Sequence, residues 1–307
     1  MQTIFRKIKA VMLLFSVLSG FLFGHAPVGA NLYYTAEEIE TYTAAAGAQN
    51  NKGMVIMIGG GFDTEALIRP LIEKSFRHVG KTDPHMLFIP TGGMDEMDED
   101  YEAVIQWFAN AGCSTDLLLV TQSTAEEAAA KIEAADIIYE TGGNLKFLNE
   151  QWDLKGVKDA VRAAYARGAV LMGPSTGAMC WAARGWDNFG EPVRRIVDEF
   201  PFIGVEGAYE FCESTGLVPF CIVPHFDNIA WRVYGFTGIS QDFPTICIEN
   251  GAAVACCNGV YEVLSDARTP LRTAYLFYPE KSIAMMNLKN HTEILTVIDG
   301  EQRVKGA

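Results

Sequence analysis

A nucleophilic hydroxyl, an imidazole to deprotonate it and a carboxylate to orient that imidazole are enough for acyl transfer, and this chain offers one of each at suggestive spacing. Gly173-Pro174-Ser175-Thr176-Gly177 stands where an apolar run, Ala169 to Met172, meets a helical pattern over Ala178 to Arg184. A G-x-S-x-G at a strand-to-helix turn is a nucleophile elbow. The flanking glycines leave no Cβ atoms to clash in the sharp turn, and the serine is lifted above the C-terminal edge of the sheet. The N–H groups that follow open a helix and point at developing negative charge. An ordinary glycine-rich turn is the alternative, since short motifs recur by chance.

The base has few candidates. Of the five histidines, His25 falls in the signal-like segment 1–30 and His291 in the tail 286–307. His78 and His85 sit at the end of a helical stretch and the start of a strand-like one. His225, in Pro224-His225-Phe226-Asp227, follows the apolar run Cys221 to Val223 and opens a loop, where a base can be delivered to the edge that carries Ser175. The chain order Ser, acid, His asks for a carboxylate between 175 and 225. Asp187 is the nearest, with Glu191, Asp198 and Glu206 behind it.

These residues need a scaffold, and the pattern along the chain supplies one. Met54 to Ile58 and His85 to Ile89 are short apolar runs, with helical spacing over Thr64 to His78 between them. Helical and strand-like stretches go on alternating: Tyr101 to Ala111, Thr115 to Val120, Ala125 to Ala134, Ile137 to Tyr139, Leu145 to Trp152, Leu154 to Arg167 and Ala169 to Met172. Such alternation forces parallel pairing with helices on the faces. After Ser175 it loosens into short apolar runs, with Asn258-Gly259 as a hairpin signal, so antiparallel strands join toward the C-terminus. The expected fold is α/β, three-layer, with a mainly parallel sheet and helices on both faces. The expected division is a signal segment 1–30, a leader 31–53, a catalytic domain 54–285 and a tail 286–307.

The signal segment rests on Arg6, Lys7 and Lys9 ahead of an apolar run of 14 residues, Ala10 to Phe23, with Val28-Gly29-Ala30 suited to cleavage after Ala30. A spanning helix needs about 20 apolar residues. The pattern therefore predicts export; an uncleaved N-terminal membrane anchor, a homodimer, and a cytoplasmic chain starting at Met54 are also compatible with the sequence. The seven cysteines pull the other way, since their number is odd and most lie in apolar runs, as in a reduced core.

Composition limits the partners. With 24 Lys+Arg against 38 Asp+Glu the 307-residue chain carries a formal charge of -14, and no basic cluster exists beyond the first ten residues, which argues against nucleic acid. There is no CxxC pair and the histidines are scattered, which argues against a zinc site; neither a metal nor another cofactor is expected. Gly59-Gly60-Gly61 fits neither nucleotide-binding motif and reads as a close backbone turn beside the active edge. The acidic stretch Asp95 to Glu102 lacks the spacing of a calcium loop and reads as a solvated loop and helix start.

Together the stretch Gly173 to Trp181, the upstream Gly142-Gly143-Asn144, and Pro224-His225-Phe226-Asp227 with Arg232 resemble the peptidase E (alpha-aspartyl dipeptidase) and cyanophycinase family of serine peptidases. Ile89-Pro90-Thr91 and Ile248-Glu249-Asn250-Gly251-Ala252 extend the resemblance over residues 54 to 280. It implies a class I glutamine amidotransferase-like (flavodoxin-like) fold with Ser175 as nucleophile and His225 as general base. It also implies an oxyanion hole from Gly143 with the N–H of Thr176, and Asp187 as the orienting acid, although the family varies at this last position. Asn144 and Arg232, the latter just beyond the base, are the candidate substrate contacts, with Arg194 and Arg195 as alternatives to Arg232. The expected activity is hydrolysis of small peptides with an acidic residue at the cut bond. A general esterase and a catalytically silent binding protein on the same scaffold are the competing readings. One departure stands out: the family usually has Ser-Ala-Gly-Ala, whereas here Thr176 follows the nucleophile and could crowd the oxyanion N–H or bond to substrate.

Overall fold

Five buried residues in a row, Met54 to Ile58, have no face left for water, and such a strand is stable only with cover on both sides. The computed structural model of the chain describes residues 53–187, 210–228, 231–232, 244–278, 284–287, 294–298 and 301–305. The segment read as a signal, the leader up to residue 52, and Glu191, Asp198, Glu206, Arg194 and Arg195 lie outside the described residues.

The first half alternates as expected: β1 (Met54–Ile58), α1 (Glu65–Val79), β2 (His85–Ile89), α2 (Glu99–Ala111), β3 (Ser114–Leu117), α3 (Ala125–Ala134), β4 (Ile137–Glu140), α4 (Leu145–Lys155), α5 (Val157–Arg167) and β5 (Val170–Pro174). Local chemistry fixes the helix starts. The Asp98 carboxylate accepts the Tyr101 N–H at 2.9 Å to open α2, and Thr124 with Glu127 forms a reciprocal capping box on α3. The acidic stretch is thus partly a helix start, but Asp95 is no solvated acid. It is buried and accepts from the N–H and the hydroxyl of Thr121 at 2.6 and 2.8 Å.

Beyond Ser175 the helical pattern over Ala178 to Arg184 is not realised. A single turn, α6 (Thr176–Met179), leads into a strand, β6 (Ala182–Asp187), because pairing with strands on both sides outweighs the helix preference of its alanines. Then come β7 (Glu210–Glu213), β8 (Val218–Val223), β9 (Thr245–Ile248), β10 (Ala252–Cys257), β11 (Val260–Ser265), β12 (Ala274–Tyr278), β13 (Ala284–Asn287), β14 (Ile294–Ile298) and β15 (Glu301–Lys305).

These strands make two sheets. The larger has the order β15-β14-β11-β10-β1-β5-β4-β2-β3; its five strands from β1 to β3 are parallel, and β10 adds to β1 antiparallel. The β10–β11 hairpin turns at Asn258-Gly259, both at positive φ, as two-residue hairpins require. The smaller sheet has the order β13-β12-β9-β8-β6-β7, in which β6, β8 and β9 are parallel. The late strands therefore do more than extend the parallel sheet; six of the ten form a second sheet.

Alternation along β1 shows how the layers stack. Val55 and Met57 enter a core shared with α3, α4, α5 and the second sheet, whereas Met54, Ile56 and Ile58 enter a core shared with α1 and α2. All seven cysteines are free and six are buried, packed as small apolar groups. Among the described residues no helix is long and apolar enough to cross a membrane. Since β1, β2, β4 and β5 are parallel, the turns after Ile58, Ile89, Glu140 and Pro174 all emerge at one edge, where open α/β sheets place their ligands.

Candidate active site

Ser175 fills the single position between β5 and α6, at φ 56° and ψ −115°. Non-glycine residues avoid this region at a cost of about 1–3 kcal/mol, and its appearance here matches a strained elbow. Neighbouring backbone holds the conformation. The Ser175 N–H donates to Ile58 O at 3.1 Å, and Ser175 O accepts from the N–H groups of Ala178 and Met179. His225, also at positive φ (52°), donates its N–H to Gly59 O at 2.9 Å. The hydroxyl and the imidazole expected to react thus hang on successive carbonyls at the end of β1, one arriving from β5 and the other from β8.

The imidazole is oriented by a residue that comes after it in the chain. His225 Nδ1 lies 2.7 Å from Asn250 Oδ1, in the turn between β9 and β10. Asn250 Nδ2 and the Asn250 N–H both donate to Asp227 Oδ1, at 2.9 and 2.8 Å. With its amide nitrogen committed to a carboxylate, Asn250 presents only an acceptor to the ring, so Nδ1 carries the hydrogen and Nε2 is the free acceptor. Arg272 stands behind the relay, 3.3 Å from Asp227 Oδ2 and 3.7 Å from Glu249 Oε1. Burial pulls the His225 pKa below its ordinary value, opposed by the Asn250 hydrogen bond and the Asp227 charge. Gly60 is the floor of this arrangement. It sits at φ 132°, and a Cβ there would run into Asn250 Oδ1 and the His225 ring, which confirms the close turn read from the glycine run.

The turn after β4 lies against the elbow: a Cβ on Gly142 would stand 3.3 Å from Ser175 Cβ and 3.9 Å from Ser175 Oγ. Gly143 has φ 133°, and a side chain there would run into Gly92 O. Thr176, fully buried, donates its hydroxyl to Gly143 O at 2.6 Å. It is therefore placed neither to bond to a substrate nor in open space, contrary to one expectation from its β-branched hydroxyl. The Asn144 side-chain oxygen accepts the Phe147 N–H at 2.8 Å and caps α4, while its own N–H donates to Gly92 O at 2.8 Å. Beneath both turns lies Glu140, wholly buried, whose Oε1 accepts from the N–H groups of Gly92 and Thr141 at 2.8 and 3.1 Å. Burial raises the Glu140 pKa well above the usual carboxylate range, an effect those two N–H groups only partly offset.

Asp187 ends β6, whose parallel pairing with β8 brings it out of the same sheet edge as His225. The imidazole Nδ1 is nevertheless taken by Asn250, so the orienting contact expected of Asp187 is made by a different residue. Arg232 donates Nε to Phe226 O at 2.8 Å, with its guanidinium 5.8 Å from the Phe226 ring centroid. Among the described residues no group of three or more His, Cys, Asp or Glu side chains is placed to hold a metal. Asn250 and Asp227 are the residues that reasoning from sequence left without a role. Both lie in motifs that carried the resemblance, but nothing in their spacing tells that β9 returns beside β8.

A sequence model of peptidase family S51 matches residues 54–264. An uncharacterized peptidase, YgaJ, of Bacillus subtilis is 24% identical over 177 residues, which cover 58% of this chain and 70% of that protein. Peptidase E of Citrobacter koseri is 29% identical over 143 residues, covering 46% of this chain and 55% of that protein, so the chain spans about half the length of that relative. Among solved structures, a peptidase from an acI-B1 Actinobacterium superposes with a TM-score of 0.55 at 19% identity, covering 77% of this chain and 94% of that one. That likeness is one of fold.

Proposed function

The chain belongs to peptidase family S51 and is a serine peptidase, and from that premise we propose that it cleaves small peptides through an acyl-enzyme built on Ser175. The observation that carries the proposal is the anchoring of Ser175 and His225 on the successive carbonyls of Ile58 and Gly59 at the end of β1, with the imidazole held as its Nδ1–H tautomer by Asn250.

In the first half-reaction Nε2 of His225 removes the hydroxyl proton as Ser175 Oγ attacks the peptide carbonyl. Charge on the carbonyl oxygen is met by the N–H groups of Gly143 and Thr176. Neither of these has a backbone acceptor among the described residues, and the second opens a helix. The imidazolium then protonates the leaving amine, and a water molecule, deprotonated by His225, releases the acyl group. Asn250 keeps the ring in the productive tautomer throughout, and Asp227 keeps Asn250 from turning over.

The finer part of the proposal is a preference for an acidic residue at the cut bond, with Arg232, one helical turn past Asn228, as the cation that would meet it. Its support is the position of Arg232 just beyond the base, together with its similarity to the motif quoted above. A fluorophosphonate probe tests the mechanism. It should label wild-type protein, fail with Ser175→Ala and label His225→Ala much more slowly; folded wild-type protein that stays unlabelled would overturn the reading. Turnover of Asp-Xaa dipeptides against neutral dipeptides and short esters tests the preference, which equal rates on all three would refute.

A further inference from the structure

Two turns from different parts of the chain must supply the two N–H groups of the oxyanion hole. Gly143 belongs to the turn after β4, and Thr176 to the elbow after β5. Between them runs one side-chain bond, from the Thr176 hydroxyl to Gly143 O at 2.6 Å.

That bond fixes a whole peptide unit. The carbonyl of the Gly143–Asn144 peptide is held by Thr176 Oγ1, and the N–H of the same peptide is held by Gly92 O at 2.8 Å. Pinned at both ends, this peptide sets the direction of the preceding one, which carries the Gly143 N–H. Contact between Gly143 and Gly92 O leaves no room for the turn to shift toward the turn after β2. Thr176 itself is fully buried, so its hydroxyl has no competing water. Away from water such a bond is stronger, and losing it removes the side-chain partner of the half-buried Gly143 carbonyl.

We infer that the Thr176 side chain is a positioning residue of the oxyanion hole, its hydroxyl setting the distance and mutual orientation of the Gly143 and Thr176 N–H groups. This deepens the proposed function and rests on it. Because negative charge on that oxygen is absent from the bound ground state and develops only as Ser175 attacks, loosening the donors lowers the rate of bond formation and leaves ground-state binding in place.

The test uses the full chain and a fluorophosphonate probe. In that reaction Ser175 Oγ forms a bond to phosphorus, fluoride leaves and the hydroxyl proton passes to His225. Initial binding (KI) is separated from the covalent step (kinact). Thr176→Val keeps the shape and removes the donor; it should lower kinact by about 10- to 100-fold, less than the 10²–10³ lost when a donor is removed outright, with KI unchanged. Thr176→Ser keeps the donor and should recover most of that loss. If the valine variant does not fold, Thr176→Ala carries the same comparison with Thr176→Ser. Folded Thr176→Val or Thr176→Ala with the same kinact as Thr176→Ser, or a rise in KI alone, overturns the inference while the serine mechanism stands. A wild-type protein that does not label overturns both.

Discussion

The bond between His225 Nδ1 and Asn250 Oδ1, 2.7 Å long, runs in one direction only, because the Asn250 amide nitrogen is committed to Asp227. A neutral amide thus does the orienting work usually given to a carboxylate. The negative charge sits one residue further back, where Arg272 partly balances it. Tautomer control and charge stabilisation, which a directly bonded acid supplies together, are here divided between two residues.

Removing the orienting contact is the first test of that division. Asn250→Ala should slow fluorophosphonate labelling of Ser175 by about 10²-fold or more, toward the 10⁴ seen when a triad partner imposes the wrong tautomer. Asp227→Asn should have a smaller effect in the same direction, since the new amide can turn either its oxygen or its nitrogen toward Asn250 and no longer fixes which way that side chain faces. Equal labelling rates in all three proteins would dismiss the relay.

Activity should persist on the acid side of neutrality. The proposed base, His225, works only when neutral, and burial holds its pKa below the ordinary value of about 6.5. The acid limb of the labelling-rate profile should therefore fall below that pH. Asn250, Asp227, Trp231 and, further back, Glu249, Arg272 and Arg232 are the groups around the ring. Asn250→Asp places a negative charge against Nδ1 and should move the limb to higher pH. The linked stability term has the same sign: it is complete above about 6.5 and is lost as pH falls through the lower folded value. A limb above 6.5 in the wild-type protein would contradict this account.

Glu140 should be replaceable by glutamine but not by leucine. Its folded pKa is raised, so its contribution to stability is complete below the unfolded value and is lost as pH rises through the folded one. Glu140→Gln keeps an acceptor for the N–H groups of Gly92 and Thr141 and carries no charge to desolvate. Its melting temperature should match or exceed that of the wild-type protein at neutral pH and vary less with pH. Glu140→Leu leaves the buried Gly92 N–H unpaired and the Thr141 N–H with only its 3.2 Å bond to Ile89 O, and should destabilise by about 1–3 kcal/mol, read from urea midpoints. A glutamine variant as unstable as the leucine one would show that the charge is needed.

Gly60→Ala should damage the site more than the fold. The new methyl group meets Asn250 Oδ1 and the His225 ring, and the backbone there is at φ 132°. Labelling should drop at least tenfold, while the conservative control Gly80→Ala, at a helix end with open space around it, should label at the wild-type rate. A Gly60→Ala protein that labels normally would mean that the turn is looser than the contacts imply.

Much of this was legible in the sequence where a local cause acted alone. Apolar runs and helical spacing located the strands and helices up to β5, and Asn258-Gly259 marked its hairpin, because period and turn chemistry are local. The elbow and His225 could be found because glycines flank one and a strand and a proline precede the other. The stretch from Ala182 to Asp187 misled, since its alanines favour a helix and only tertiary pairing makes it β6. Asn250 was hidden for a related reason. It meets His225 because β9 lies parallel to β8, a relationship between runs more than 20 residues apart that no local pattern encodes.

The hydrogen bonds from Ser175 and His225 to Ile58 and Gly59 also bear on how the site moves. β1 lies inside the larger sheet, flanked by β5 and β10, with every residue buried. Amide hydrogens held by such a strand exchange with solvent only when the sheet itself comes apart, whereas those of exposed turns exchange through small local openings. The amides of Ser175 and His225, the residues proposed to react, should therefore share the slow exchange of the central strand although each sits in a turn. On that expectation the site fluctuates with the sheet and not with its own turns.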